Sequence, residues 1–67
     1  MSETDFAAAR AAGDTARMVA LLEAEALEAR SRTAEAFLLT HAYVLSLEAG
    51  LPTRALLERL QDLGAES

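Results

Sequence analysis

A chain of 67 residues fits one small domain, which we place at residues 1–67, and a domain of this size buries a smaller share of its surface than an average one. Its hydrophobic fraction of 52% comes mainly from Ala and Leu, with few aromatic or β-branched residues, which favours helices over strands. The net charge of −5, with every Arg close to an acidic residue, disfavours nucleic acid and anionic membranes as partners, and the absence of cysteine excludes a disulfide framework.

Glycine, proline and capping residues divide the chain into four predicted helices joined by short turns. The predicted helices span residues 4–12, 15–30, 33–49 and 52–63. Connections this short make neighbouring helices fold back on one another. We therefore expect an all-α domain of four short antiparallel helices, arranged as two stacked helical hairpins.

The first two helices have recognisable ends. Ser2 or Thr4 is expected to cap the first helix, and Gly13 suits the left-handed conformation in which many helices end. Asp14 is the predicted N-cap of the second helix, because its carboxylate can accept hydrogen bonds from the free amides of the next turn. The predicted apolar side of the second helix consists of Met18, Leu21, Leu22, Ala26 and Ala29.

The last two helices are delimited by similar signals. Ser31 or Thr33 is expected to cap the third helix, and Gly50 follows its end. Pro52 suits the first position of the fourth helix, where its missing N–H is not needed, and Gly64 is predicted to close that helix. The apolar side of the fourth helix consists of Leu56, Leu57, Leu60 and Leu63.

The third helix is apolar around most of its circumference. Its apolar residues are Ala34, Ala36, Phe37, Leu38, Leu39, Ala42, Tyr43, Val44, Leu45, Leu47 and Ala49. A helix that is apolar on most sides must be covered on most sides. Because the other helices are short, we expect them to cover it incompletely, leaving an apolar surface for a second copy or another protein.

The chain contains a weak internal repeat. Two segments share the same pattern: a helix end, a glycine, a short cap, an Arg and an apolar run. They start at Ala11 and at Glu48, which are 37 residues apart. Recurrence at about 34 to 40 residues is typical of stacked helical hairpins.

Residues 36–60 resemble the tetratricopeptide-like repeats through the spacing of Leu39, Ala42, Tyr43, Gly50 and Ala55. The later aromatic and Ala positions of that family hold Arg59 and Asp62 here, and its closing proline is missing. The resemblance implies a protein-interaction role and no chemistry.

His41 is the only histidine. A general base or a metal ligand needs partner groups at recognisable spacings, and the sequence offers none. The simpler interpretation is a half-buried or interface residue, whose protonation in mild acid would weaken an assembly.

The run of carboxylates at residues 23–28 is interpreted as a solvated surface, and a Glu28–Arg32 pair would form only if the second helix extended that far.

The two aromatic residues of the third helix allow alternative interpretations. Phe37 and Tyr43 are six residues apart and so point to different sides. The simpler interpretation puts Phe37 in the core and Tyr43 at the edge of the surface; the alternative makes one of them a binding anchor. The candidate interface residues are Phe37, Thr40, His41, Tyr43, Val44 and Leu47.

We therefore expect a small non-catalytic protein-interaction module, with no catalytic, metal or cofactor site. The alternative is a structural homodimer with no other partner; a third hypothesis is a small-ligand pocket near Thr40, His41 and Tyr43.

Residues 1–5 are acidic where a signal peptide would be basic, and no apolar run approaches about 18 residues, so a cytoplasmic protein is expected. Frequent Ala, Leu and Arg without Lys suggests a bacterial source.

Overall fold

The computed structural model describes the backbone of residues 3–66 and the side chains of residues 3–64. Four helices form in chain order: α1 (Glu3–Ala11), α2 (Thr15–Leu27), α3 (Arg32–Ala49) and α4 (Arg54–Glu66). Residues 3–66 contain no strand, and the predicted all-α class is confirmed.

The connection between α1 and α2 forms as its residues predict. Gly13 has φ +69°, its N–H donates to the Arg10 carbonyl at 3.0 Å, and the Asp14 N–H donates to the Ala9 carbonyl at 2.9 Å. These two bonds close α1 in a Schellman motif, which needs a left-handed residue. The Asp14 carboxylate then accepts from the Arg17 N–H at 3.1 Å, so its predicted role as the N-cap of α2 is confirmed.

The ends of α3 are built in the same way. Ser31 is the N-cap, because its Oγ accepts from the Ala34 N–H at 3.1 Å, which decides between the two predicted candidates. Gly50 has φ +70°, and the Leu51 N–H donates to the Ser46 carbonyl at 2.8 Å. Thr33 lies inside the helix.

Two boundaries in the first half of the chain differ from the prediction. Thr4 lies inside α1 and is not its cap, while Ser2 lies outside the described residues. The second helix ends at Leu27 instead of residue 30, because the Glu28 N–H bonds to the carbonyl three residues back and tightens the last turn. Ala29 therefore lies outside α2, and the condition for a helical Glu28–Arg32 pair is not met.

The fourth helix is displaced relative to its prediction. It begins at Arg54, and the Thr53 carbonyl accepts a helical bond from the Leu57 N–H at 2.9 Å, so Thr53 occupies the capping position and Pro52 precedes it. Threonine is a favoured N-cap residue, which explains why the proline is not the first helical residue. Gly64 does not close the helix, which continues to Glu66. A glycine permits a left-handed ending but does not impose one.

The four helices form a flattened arrangement. Helix backbones approach each other only between chain neighbours, and the largest contact is between α2 and α3. The Cα atoms span 36 × 25 × 12 Å, so the shortest dimension is about half of the next. The main cluster of buried apolar side chains lies between α2, α3 and α4 and consists of Val19, Leu22, Ala26, Leu39, Ala42 and Leu56.

Candidate interaction surface

One side of α3 is apolar and uncovered. Phe37, Val44 and Leu47 are 72%, 46% and 57% exposed, and the exposed Thr40 lies between them. We call these four residues the α3 face. The expectation that the other helices cover the third helix incompletely is confirmed.

The opposite side of α3 explains why this face is left open. Leu39, Ala42 and Ser46 have no solvent exposure and follow one another at intervals of three and four residues, which places them on a single line along the helix. That line packs into the core with α2 and α4. The helices whose backbones approach α3 are α2 and α4, and the part of α3 that they leave uncovered carries the α3 face.

Phe37 does not occupy the core position that the simpler interpretation gave it. It is the more exposed of the two aromatic residues, and its assignment to the core is wrong, whereas Tyr43 is half-buried at the edge of the core cluster. Successive helical residues turn by about 100°, so two residues six apart must point apart. The line through Leu39, Ala42 and Ser46 determines which of them points inward.

His41 lies on the flank of the α3 face that is nearest to α1. Its ring is half-buried, and its centroid lies 6.1 Å from that of Phe6, with 55° between the two ring planes. The Arg10 guanidinium carbon lies 5.3 Å from the centroid of Phe6, within the range of a cation–π contact. A side chain of α1 therefore covers this flank, and His41 borders the α3 face instead of lying at its centre.

Charged groups are sparse around the α3 face. Glu35 on the other side of α3 pairs with Arg59 of α4, with 3.6 Å between Oε2 and Nη2, and both side chains are 30% exposed. Glu48 is exposed near the C-terminal end of α3. The four residues of the α3 face are themselves uncharged, so burying them would remove no ionised group from water.

A surface cleft lies elsewhere on the molecule. It has a volume of about 570 Å³, lies between α1 and α2, and is lined by Glu3, Phe6, Ala7, Arg10, Ala11 and Glu25. Thr40, His41 and Tyr43 do not line this cleft, and they diverge from one another: Thr40 faces solvent, His41 faces Phe6, and Tyr43 faces the core. Among the described side chains of residues 3–64, no three His, Asp or Glu side chains are grouped so as to hold a metal ion.

Two features were missed by sequence reasoning. Ser46 is fully buried, and its Oγ has no hydrogen-bond partner. The spacing of Ser46 from Leu39 and Ala42 is helical and could have revealed that it shares their side of α3. Leu27, at the end of α2, is 76% exposed. Its position close to the end of the helix is the sequence feature that could have indicated this exposure.

None of the described helices combines the length and the apolar character needed to cross a membrane. In comparisons with known proteins, no family model, no curated protein and no solved structure matches this chain.

Proposed function

We propose that this protein is a small, non-catalytic protein–protein interaction module that binds through the α3 face. The observation that carries the proposal is the row of exposed apolar side chains Phe37, Val44 and Leu47 on one side of a helix whose other side is packed in the core. Exposed apolar patches bounded by polar residues are typical of interaction sites. Aromatic side chains are enriched in protein interfaces, which makes Phe37 the main candidate anchor.

The exposed fractions allow the strength of such a site to be estimated. Full burial of a Val, Leu or Phe side chain contributes about 1.5–3 kcal/mol, so covering the exposed parts of these three residues would contribute about 4 kcal/mol. Association itself costs at least about 4 kcal/mol, so the partner must supply a comparable apolar surface. The site fits a reversible interaction of moderate affinity.

The helical-hairpin resemblance supports the same role. In such arrays each hairpin contacts only its neighbouring hairpins, and the contacts of α1 with α2, α2 with α3 and α3 with α4 are consistent with two adjacent hairpins. We propose a tetratricopeptide-like style of packing on this basis. A cytoplasmic location is also part of the proposal, and the absence of cysteine supports it, because small secreted domains are usually rich in disulfides.

Site-specific photo-crosslinking in cells that produce the protein tests the interaction. A photoreactive amino acid replaces Thr40 on the α3 face and, as a control for position, Gln61 on the exposed side of α4. We expect a discrete adduct from position 40 that Phe37→Ser abolishes, because the serine removes the main apolar anchor. The matched variant Leu27→Ser, which changes an exposed leucine of α2, should leave the adduct unchanged.

Three results would contradict the proposal: no adduct from position 40, the same adduct from both positions, or an adduct that survives Phe37→Ser. Circular dichroism of each variant confirms that the helices are retained. An adduct of either identity, this chain or another protein, supports an interaction role when Phe37→Ser removes it.

A further inference from the structure

We propose that the α3 face is occupied by a second copy of this chain, with the two α3 helices packed antiparallel about a two-fold axis. This inference rests on the proposed function and names the partner of the same surface. It is carried by the spacing of the α3 face, by the distribution of charge along α3 and by the area that the face can bury.

The spacing of the α3 face matches the seam of a coiled coil. Phe37, Thr40, Val44 and Leu47 are separated by three, four and three residues, which are the a, d, a and d positions of successive heptads. The exposed side of the helix and the heptad seam are therefore the same line.

The order of spacings reads the same from either end of α3. When a second α3 runs in the opposite direction about a point level with Ala42, Phe37 of one copy lies opposite Leu47 of the other, and Thr40 lies opposite Val44. Each large side chain then meets a large one at the ends of the seam, and each small side chain meets a small one at its centre. A surface that is complementary to itself is the requirement for a two-fold interface.

Charge favours the antiparallel direction. The net charge of the chain is −5, but the α3 face itself is uncharged, so bringing two copies together there places no like charges in contact. Glu48 lies in the last turn of α3, which contains no basic residue, whereas the first turn contains both Arg32 and Glu35. Antiparallel packing keeps the two Glu48 side chains at opposite ends of the seam and also opposes the two helix dipoles. Parallel packing would place the two Glu48 side chains together.

The available area sets the strength of the dimer. The exposed parts of Phe37, Val44 and Leu47 amount to roughly 300 Å² per copy, with about 150–250 Å² for a whole Phe side chain and less for Val and Leu. A standard interface buries about 800 Å² per partner. These side chains form the apolar centre of a small interface, and we expect a dimer that dissociates on dilution.

Engineered cysteines test both the partner and its direction, because the chain has no cysteine of its own. Thr40→Cys protein is mixed with Val44→Cys protein under mild oxidation, and one of the two carries a mass tag. In the antiparallel register, position 40 lies opposite position 44 of the other copy, whereas two cysteines at position 40 are offset by four residues, about 6 Å along the axis. A disulfide needs Cβ atoms about 3.5–4.5 Å apart. We expect mixed disulfides to exceed those joining two copies of the same variant by about tenfold.

Light scattering over a dilution series on the unmodified chain supplies the second measurement. We expect a mass that falls from dimer to monomer on dilution, and Phe37→Ser should shift the midpoint at least about tenfold to higher concentration, corresponding to the loss of about 1.4 kcal/mol. Leu27→Ser is the matched control and should leave the midpoint unchanged. Circular dichroism of the cysteine variants checks that exposed positions tolerate the change.

The outcomes separate this inference from the proposed function. A monomer at all concentrations, or disulfides no more frequent than those from a cysteine at Gln61, would overturn the second copy as the partner. A predominance of links between two cysteines at position 40 would overturn the antiparallel register. If the photo-crosslink from position 40 joins a different protein and depends on Phe37, the proposed function stands and this inference fails. If no crosslink forms at all, both fail.

Discussion

Two substitutions two residues apart on α3 should differ greatly in their effect on stability. Leu39 has no solvent exposure and lies in the core cluster, whereas Phe37 is mostly exposed on the α3 face. Replacing a buried leucine by alanine removes its transfer free energy and leaves a cavity, at a cost of about 2–5 kcal/mol. A domain of this size is stable by only about 3–10 kcal/mol, so Leu39→Ala should remove a large fraction of the total or unfold the chain in buffer.

Phe37→Ala should leave the monomer about as stable as before. Most of the ring is in water already, so little burial is lost, and alanine favours the helix by about 0.5 kcal/mol. Urea unfolding followed by far-ultraviolet circular dichroism, at a concentration where light scattering shows a monomer, measures both free energies of unfolding. The assignment of inward and outward sides of α3 is refuted if Phe37→Ala costs as much as Leu39→Ala at that dilution.

Three further substitutions test the core and the helix ends. Ser46→Ala should raise the free energy of unfolding by about 1–2 kcal/mol, because it removes a buried hydroxyl that has no hydrogen-bond partner; a decrease would show that the hydroxyl is satisfied in solution. Gly50→Ala should destabilise by about 1–2 kcal/mol, since an L-residue is strained at φ +70° even though a Cβ there meets no atom within 4 Å. Gly64→Ala should instead stabilise by about 0.5–1 kcal/mol, because this glycine is helical and equally unobstructed. Thermal and urea unfolding of the two glycine variants give the sign of each change in the free energy of unfolding. Equal changes in the two variants would contradict the assigned backbone conformations.

The helix ends that were predicted correctly depend on local chemistry. Gly13 and Gly50 take the left-handed conformation, and Asp14 and Ser31 cap the helices that follow them, because each of these roles involves only residues within about one turn. The boundaries of α4 that were predicted wrongly depend on equally local chemistry. Thr53 occupies the capping position that precedes α4, and Gly64 lies inside this helix and does not end it.

Composition and the spacing of apolar residues by themselves determined the all-α class, the number of helices and the excess of apolar surface on the third helix. They could not determine which part of that helix faces outward, because a helix that is apolar around most of its circumference has no unique inward direction. Packing against α2 and α4 decided this: it buried Leu39, Ala42 and Ser46 and left Phe37 exposed. The candidate surface therefore exists only in the tertiary structure, since the side of a helix that stays open depends on where its neighbours lie.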